Sequence, residues 1–126
     1  MWPVTLFMKL RIEDDTLRLR LSDNEVQEFA ATGRVAAVVH FGPGPGQQLT
    51  YALERDATGE APAVRVRYDG AGLTVVVPHD VAVAWTTTEQ NGFSENLPLA
   101  ETQRLRILVE KDLDCSHSDA VQLPIV

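Results

Sequence analysis

The strongest constraint on the fold of this chain is an internal repeat. Residues 8–56 and 64–112 align at a constant offset of 56 without a gap. Only seven of the 49 aligned pairs are identical, among them Asp56 with Asp112. The apolar columns nevertheless coincide, and this is informative because a slip of one residue in a strand would exchange its two faces. The sequence therefore predicts two copies of one structural unit.

Unit one (residues 8–56) has the pattern strand-strand-helix-strand-strand. Alternating apolar and polar residues on both sides of Asp14 and Asp15 predict a hairpin. Ser22 followed by Glu25 has the spacing of a capping box, and Gly33 is typical of a helix end. The later predicted parts of this unit are a strand at about 34–41, a glycine-rich connection at 42–46 and a strand at 49–56.

Unit two (residues 64–112) repeats this pattern with a hairpin, a helix after Pro78 through Trp85, and a last strand near 104–110. Asp80 is expected to cap this helix because it lies near the predicted start. The strand signal is weakest over 90–99, where a glycine and a proline interrupt it.

We expect one domain over residues 1–126 and an α+β fold class. Its parts are an N-terminal extension (1–7), unit one, a linker (57–63), unit two and a tail (113–126). Eight mainly antiparallel strands and two helices should be related by a pseudo-two-fold axis. Closure into a small barrel and a two-layer arrangement both fit this pattern. Phe29 and Trp85 occupy equivalent helix positions, so both are predicted to be buried.

Composition narrows the classes of partner. The formal charge of −7 disfavours nucleic acid, which needs a basic surface. No apolar run reaches the roughly 20 residues that span a bilayer, so we expect no membrane partner. The single cysteine, Cys115, excludes an internal disulfide framework and fits a reducing compartment. The expected location is the cytoplasm.

The basic residues show the most unusual pattern. If Asp14 and Asp15 form the turn, Arg11 lies opposite Arg18 and Lys9 opposite Arg20, although like charges opposed on a sheet are unfavourable. Further pairs spaced by two residues occur at Arg65 with Arg67 and at Arg104 with Arg106.

Three explanations of these pairs are open. The first is internal pairing with Glu54, Asp56, Glu110 and Asp112. The second is an anion site formed by Lys9, Arg11, Arg18 and Arg20, since guanidinium groups bind phosphate and carboxylate through paired donors. The third is protection of an edge strand by outward charge.

The sequence offers little for catalysis. Cys115 and His117 could form a nucleophile and base, but nothing in their neighbourhood orients the imidazole. The histidines and the cysteine have no zinc spacing. The loop at 42–46 lacks the lysine and hydroxyl of a phosphate-binding loop. We predict no catalytic residues, no metal site and no cofactor.

Several strings carry a resemblance that begins at Met8 and covers most of the chain. They are Leu17–Ser22, Glu25–Val26, Phe41–Gly42, Leu49–Glu54, Trp85, Gln90, Gly92–Phe93, and Leu108–Asp112 with Cys115. Through them the chain resembles a family of small, uncharacterised bacterial proteins, a domain of unknown function. The resemblance implies no established activity and brings no site residues.

These observations predict a non-enzymatic interaction or structural protein of the bacterial cytoplasm. Its partner would be an unidentified protein or a second copy of the chain. The alternative is a binder of a small phosphorylated or acidic ligand, held by the paired basic residues on one sheet face.

Overall fold

The computed structural model describes residues 8–58, 63–70 and 72–112. The elements are β1 (Lys9–Glu13), β2 (Thr16–Leu21), α1 (Asp23–Thr32), β3 (Arg34–His40), β4 (Gln48–Arg55), β5 (Arg65–Asp69), β6 (Gly72–Val77), α2 (His79–Thr87), β7 (Gly92–Ala100) and β8 (Gln103–Lys111). Both units thus have the order strand-strand-helix-strand-strand, which confirms the predicted α+β class and its repeat.

The eight strands form two four-stranded sheets. Sheet I has the strand order β1-β2-β8-β7, and sheet II has the order β3-β4-β6-β5. Each sheet therefore combines a hairpin of unit one with a hairpin of unit two. The hairpins pair antiparallel, whereas the central pairs β2 with β8 and β4 with β6 are parallel. Among the described residues no strand pairing joins the two sheets, so the strands do not form a single closed barrel.

The strand registers repeat with the sequence. Thr16 pairs with Arg106 in sheet I, and the positions offset by 56, Gly72 and Thr50, pair in sheet II. One strand departs from this rule. Glu110 faces Gly92, whereas the equivalent residue of unit one, Glu54, faces Arg34.

The position of β7 is therefore shifted by two residues relative to the gapless alignment. The connection from α2 to β7 is longer than the connection from α1 to β3, and the hairpin turn that follows is shorter. A shift of two keeps the same faces inward because the side-chain period of a strand is two. Pro98 is tolerated in β7 since this strand lies at a sheet edge and has a register irregularity there.

The two helices are terminated differently. The Ser22 hydroxyl accepts a hydrogen bond from the Glu25 amide, and the Glu25 carboxylate accepts one from the Ser22 amide at 2.9 Å. The predicted capping box of α1 is thus confirmed, and Gly33 ends this helix with a φ of 84°. In α2 the cap position is Pro78, which has no side-chain cap bond. The prediction that Asp80 caps this helix was wrong, because Asp80 lies within the first turn and not before it.

One hydrophobic cluster contains inward-facing residues of both sheets and both helices. Phe29 of α1 and Trp85 of α2 are fully buried in it, as the repeat predicted. Their rings contact each other edge to face, with centroids 5.9 Å apart. The equivalent aromatic residues therefore join the two units at the centre of the shared core.

Candidate functional site

The outer face of sheet I carries the basic residues of the first hairpin. Ile12 lies opposite Leu17 and Arg11 opposite Arg18, which confirms the predicted register. On the next strand of the sheet, Leu108 lies beside Arg18. From β1 to β7, the rows of this face are Lys9, Arg20, Glu110 and Gly92; Arg11, Arg18, Leu108 and Ser94; and Glu13, Thr16, Arg106 and Asn96. We call this surface the basic face.

Glu110 lies between two arginines of β2. Nη2 of Arg18 is 2.8 Å from Oε1 of Glu110, and Nε of Arg20 is 3.3 Å from the same oxygen. Burial raises the pKa of Glu110, but the hydrogen bonds and charges of Arg18 and Arg20 outweigh burial and hold this pKa below its usual value. The carboxylate therefore relieves the repulsion between the two arginines.

A second carboxylate lies beside the basic face, at the end of β8. Oδ2 of Asp112 is 2.7 Å from Nζ of Lys9, and the Asp112 side chain is only 6% exposed. The equivalent pair of the other sheet consists of Asp56 and Arg65, with the charged atoms 3.7 Å apart. The repeat has thus retained a buried aspartate and a basic partner at matched positions in the two sheets.

Glu54 has a similar role on sheet II. Its Oε1 atom is 3.4 Å from Arg67 and 3.3 Å from Arg34. Internal pairing, the first of the three explanations, is therefore confirmed for three of the four basic pairs. Binding of an external anion by the predicted residues stays a prediction.

An opening of about 330 Å³ lies where internal pairing is weakest. Its lining residues are Arg11, Glu13, Asp14, Thr16, Arg18, Arg106 and Leu108. Arg11 pairs with Glu13 at 3.4 Å, and both side chains are about two-thirds exposed, at 64% and 67%. Within the described ranges Arg106 has no carboxylate at ion-pair distance. We call this opening the arginine hollow.

The arginine hollow continues on both sides along the basic face. An adjoining opening of about 200 Å³ is lined by the four residues that the sequence predicted as an anion site, Lys9, Arg11, Arg18 and Arg20. A third opening of about 260 Å³ shares Leu108 with the hollow and includes Ser94 and Glu110. The openings share lining residues, so together they form a shallow groove across the sheet.

Sequence reasoning brought together Lys9, Arg11, Arg18 and Arg20 and missed Arg106 and Leu108. The fourth basic pair was noted, but no local signal placed it beside the first hairpin. Arg106 reaches this face because β8 pairs in parallel with β2, so that Arg106 lies next to Thr16. The matching alternation of β2 and β8 was the one available signal, and it does not specify which strands become neighbours.

The other sequence candidates lie elsewhere. The loop at 42–46 connects β3 and β4 as predicted, and the Phe41 amide donates to the Gln47 carbonyl at 2.7 Å. His40 and His79 are both exposed, one at the end of β3 and one at the start of α2. Cys115 and His117 lie outside the described residues. No group of three metal-ligating side chains occurs within the described ranges.

With this geometry in view, comparison with known protein families matches residues 8–122 to a family of unknown function, DUF7009. The chain belongs to this family. Comparisons with curated proteins and with solved structures found no match. None of the described helices is long and apolar enough to cross a membrane. Family membership agrees with the resemblance seen in the sequence and assigns no activity, so the argument about function depends on the basic face.

Proposed function

We propose that this protein is a non-enzymatic binding protein that holds an acidic segment of a partner protein on its basic face. The observation that carries the proposal is the arginine hollow, where Arg11 and Arg106 flank the partly buried Leu108. Guanidinium groups bind carboxylates through directed donors, and an apolar floor between them accepts the aliphatic part of a peptide. We keep the cytoplasm as the expected location, which the single cysteine favours.

The spacing of the two arginines supports an extended partner. Arg11 lies on β1 and Arg106 on β8, with β2 between them. Neighbouring strands are about 4.8 Å apart, so the two backbones are separated by roughly 10 Å. An extended peptide advances about 3.3 Å per residue, so acidic side chains two or three residues apart can reach both guanidinium groups. A segment crossing the sheet in this way would follow the groove.

The ion pairs favour this partner over a small phosphorylated ligand. A compact anion centred on Lys9, Arg18 and Arg20 would have to displace Glu110 and Asp112 from contacts of 2.7–3.3 Å. An acidic segment in the arginine hollow can use Arg106 and the exposed Arg11 without breaking those contacts. The small-ligand alternative therefore remains as an outcome of the test.

Fluorescence anisotropy with a labelled peptide of alternating glutamate and serine tests the proposal, with pyrophosphate and ATP as small-anion competitors. Arg11→Gln and Arg106→Gln should each weaken peptide binding by roughly two- to fivefold, which corresponds to about 0.4–1 kcal/mol for an exposed ion pair. Higher salt should weaken binding further, because exposed charges are screened. Glu110→Gln should strengthen binding, since it removes the carboxylate that occupies Arg18 and Arg20.

Arg104→Gln is the matched control. Arg104 lies on β8 two residues before Arg106, is exposed, and does not line the arginine hollow. Equal losses for the Arg104 and Arg106 variants would reduce the effect to net charge and contradict the proposal. Tight binding of pyrophosphate or ATP without peptide binding would favour the small-ligand alternative. Absence of binding by all three probes would reject both.

A further inference from the structure

We infer that the protein forms a symmetric dimer through the exposed edge of β3, so that sheet II continues into sheet II of a second copy. This surface is distinct from the basic face, which belongs to sheet I. The inference therefore stands or falls independently of the proposed function. It rests on a comparison of the four edge strands of the described sheets.

Three of these edges carry features that prevent strand pairing. β1 contains Lys9, Arg11 and Glu13, and β5 contains Arg65, Arg67 and Asp69. β7 contains Pro98 and a register irregularity beside it. Charged residues, prolines and bulges at an edge are the devices that keep sheets from associating.

β3 has none of these devices in its interior. Its seven residues read Arg-Val-Ala-Ala-Val-Val-His, with five consecutive uncharged residues and no proline. Val38 and Val39 are 44% and 37% exposed, and the following Phe41 is 71% exposed. The Phe41 amide still bonds to Gln47 across the hairpin, so the apolar edge extends past the strand end.

The strand is also compatible with its own copy. In a symmetric antiparallel pair centred on Val38, each Val38 faces Val38 of the second copy, Val39 faces Ala37, and Phe41 faces Val35. Arg34 faces Gly42, so no like charges are opposed. The same operation on β1 or β5, centred on the middle residue, would place Arg11 against Arg11 or Arg67 against Arg67. Like charges directly opposed destabilise a strand pair.

This comparison favours a second copy as the occupant. A symmetric interface uses one surface patch twice, so the patch must be complementary to itself. The register centred on Val38 gives each of the three exposed apolar residues of this edge an apolar partner. The unpaired backbone groups of β3 would gain hydrogen bonds in the same step.

Sedimentation equilibrium of the full chain tests the inference. The wild type should be a dimer at micromolar concentrations, and Val38→Lys should raise the dimer dissociation constant by at least about tenfold, because it places two lysines in opposition. Tyr68→Lys is the control, since Tyr68 is 70% exposed on β5, the opposite edge of the same sheet. Its dissociation constant should equal that of the wild type.

Cross-linking tests the register itself. In a Cys115→Ser background, Val38→Cys should form a disulfide-linked dimer under mild oxidation, because opposed residues of paired strands have Cα atoms about 4.5–5.5 Å apart. Ala36→Cys should not, since the two copies of residue 36 would be four residues out of register, roughly 13 Å apart. A monomeric wild type, or a dimer unaffected by Val38→Lys, would overturn the inference.

Discussion

Unit one and unit two share their interior and differ on their outer surfaces. Matched positions are buried in both, as for Leu19 with Val75, Leu21 with Val77, Phe29 with Trp85, and Leu53 with Val109. The outer face of the second strand is different, because Arg18 and Arg20 of β2 correspond to Thr74 and Val76 of β6. The core restricts both copies to similar side chains, whereas the outer faces are free to diverge.

This difference indicates where function can reside. The buried ion pair of Asp112 with Lys9 has a counterpart in Asp56 with Arg65, so it belongs to the repeated architecture. The arginine hollow has no such counterpart, since β6 lacks the arginines that line it. The features present in one unit only, namely the basic face and the uncharged edge of β3, are therefore the better candidates for recognition.

The largest expected effect tests whether the two cores are equivalent. Phe29→Ala and Trp85→Ala should each lower the free energy of unfolding by about 3–5 kcal/mol, through lost apolar burial and a residual cavity. The double variant should lose about 0.5–1.5 kcal/mol less than the sum, because each single substitution already removes the contact between the rings. Urea denaturation measures these values. A loss below about 1 kcal/mol for one variant only would show that the two units do not share the core equally.

The second prediction concerns the helix starts. Ser22→Ala should lower the free energy of unfolding by about 1 kcal/mol, because it removes the acceptor of the capping box. Pro78→Ala should have a clearly smaller effect, since Pro78 makes no side-chain cap bond. The same urea titrations decide this, with Thr32→Ala as a comparison at the far end of α1. Equal losses for Ser22→Ala and Pro78→Ala would contradict the asymmetry of the two helices.

The sequence predicted the local parts of this fold well. The hairpin register around Asp14 and Asp15, the capping box and the glycine at the end of α1 all depend on residues close in the chain. The buried Phe29 and Trp85 followed from periodicity combined with the repeat. In each case alternation, turn residues or caps specify the structure without knowledge of distant partners.

The parts that depend on distant pairing could not be predicted in the same way. The parallel neighbours β2 and β8 belong to opposite ends of the chain, and alternation alone does not select between candidate neighbours. Arg106 and Leu108 therefore stayed outside the predicted site. The shift of β7 was hidden for a related reason, since trading residues between two connections leaves the chain length and the side-chain faces unchanged.

The smallest expected effect concerns two glutamates that exist in different chemical settings. Burial raises the pKa of Glu25 above its usual value of 4.5, although the hydrogen bonds from Ser22 and the Met8 backbone oppose this, and the nearby Glu28 adds to the rise. The arginines of β2 lower the pKa of Glu110 despite its burial. The equivalent of Glu25 in unit two is Val81, so this contribution to the pH dependence belongs to unit one.

The opposite shifts give opposite dependences on pH. A raised pKa in the folded state makes the contribution of Glu25 greatest below about pH 4.5, and this contribution is lost as the pH rises through the raised value. A lowered pKa makes the contribution of Glu110 present above about pH 4.5, and it is lost as the pH falls through the lowered value. Urea titrations between pH 3 and pH 7 should therefore show that the deficit of Glu110→Gln shrinks in acid while the deficit of Glu25→Gln grows. Both changes should amount to about 1 kcal/mol or less, since both groups retain contact with solvent. Deficits that move in the same direction would show that Glu25 and Glu110 do not differ in the way their contacts predict.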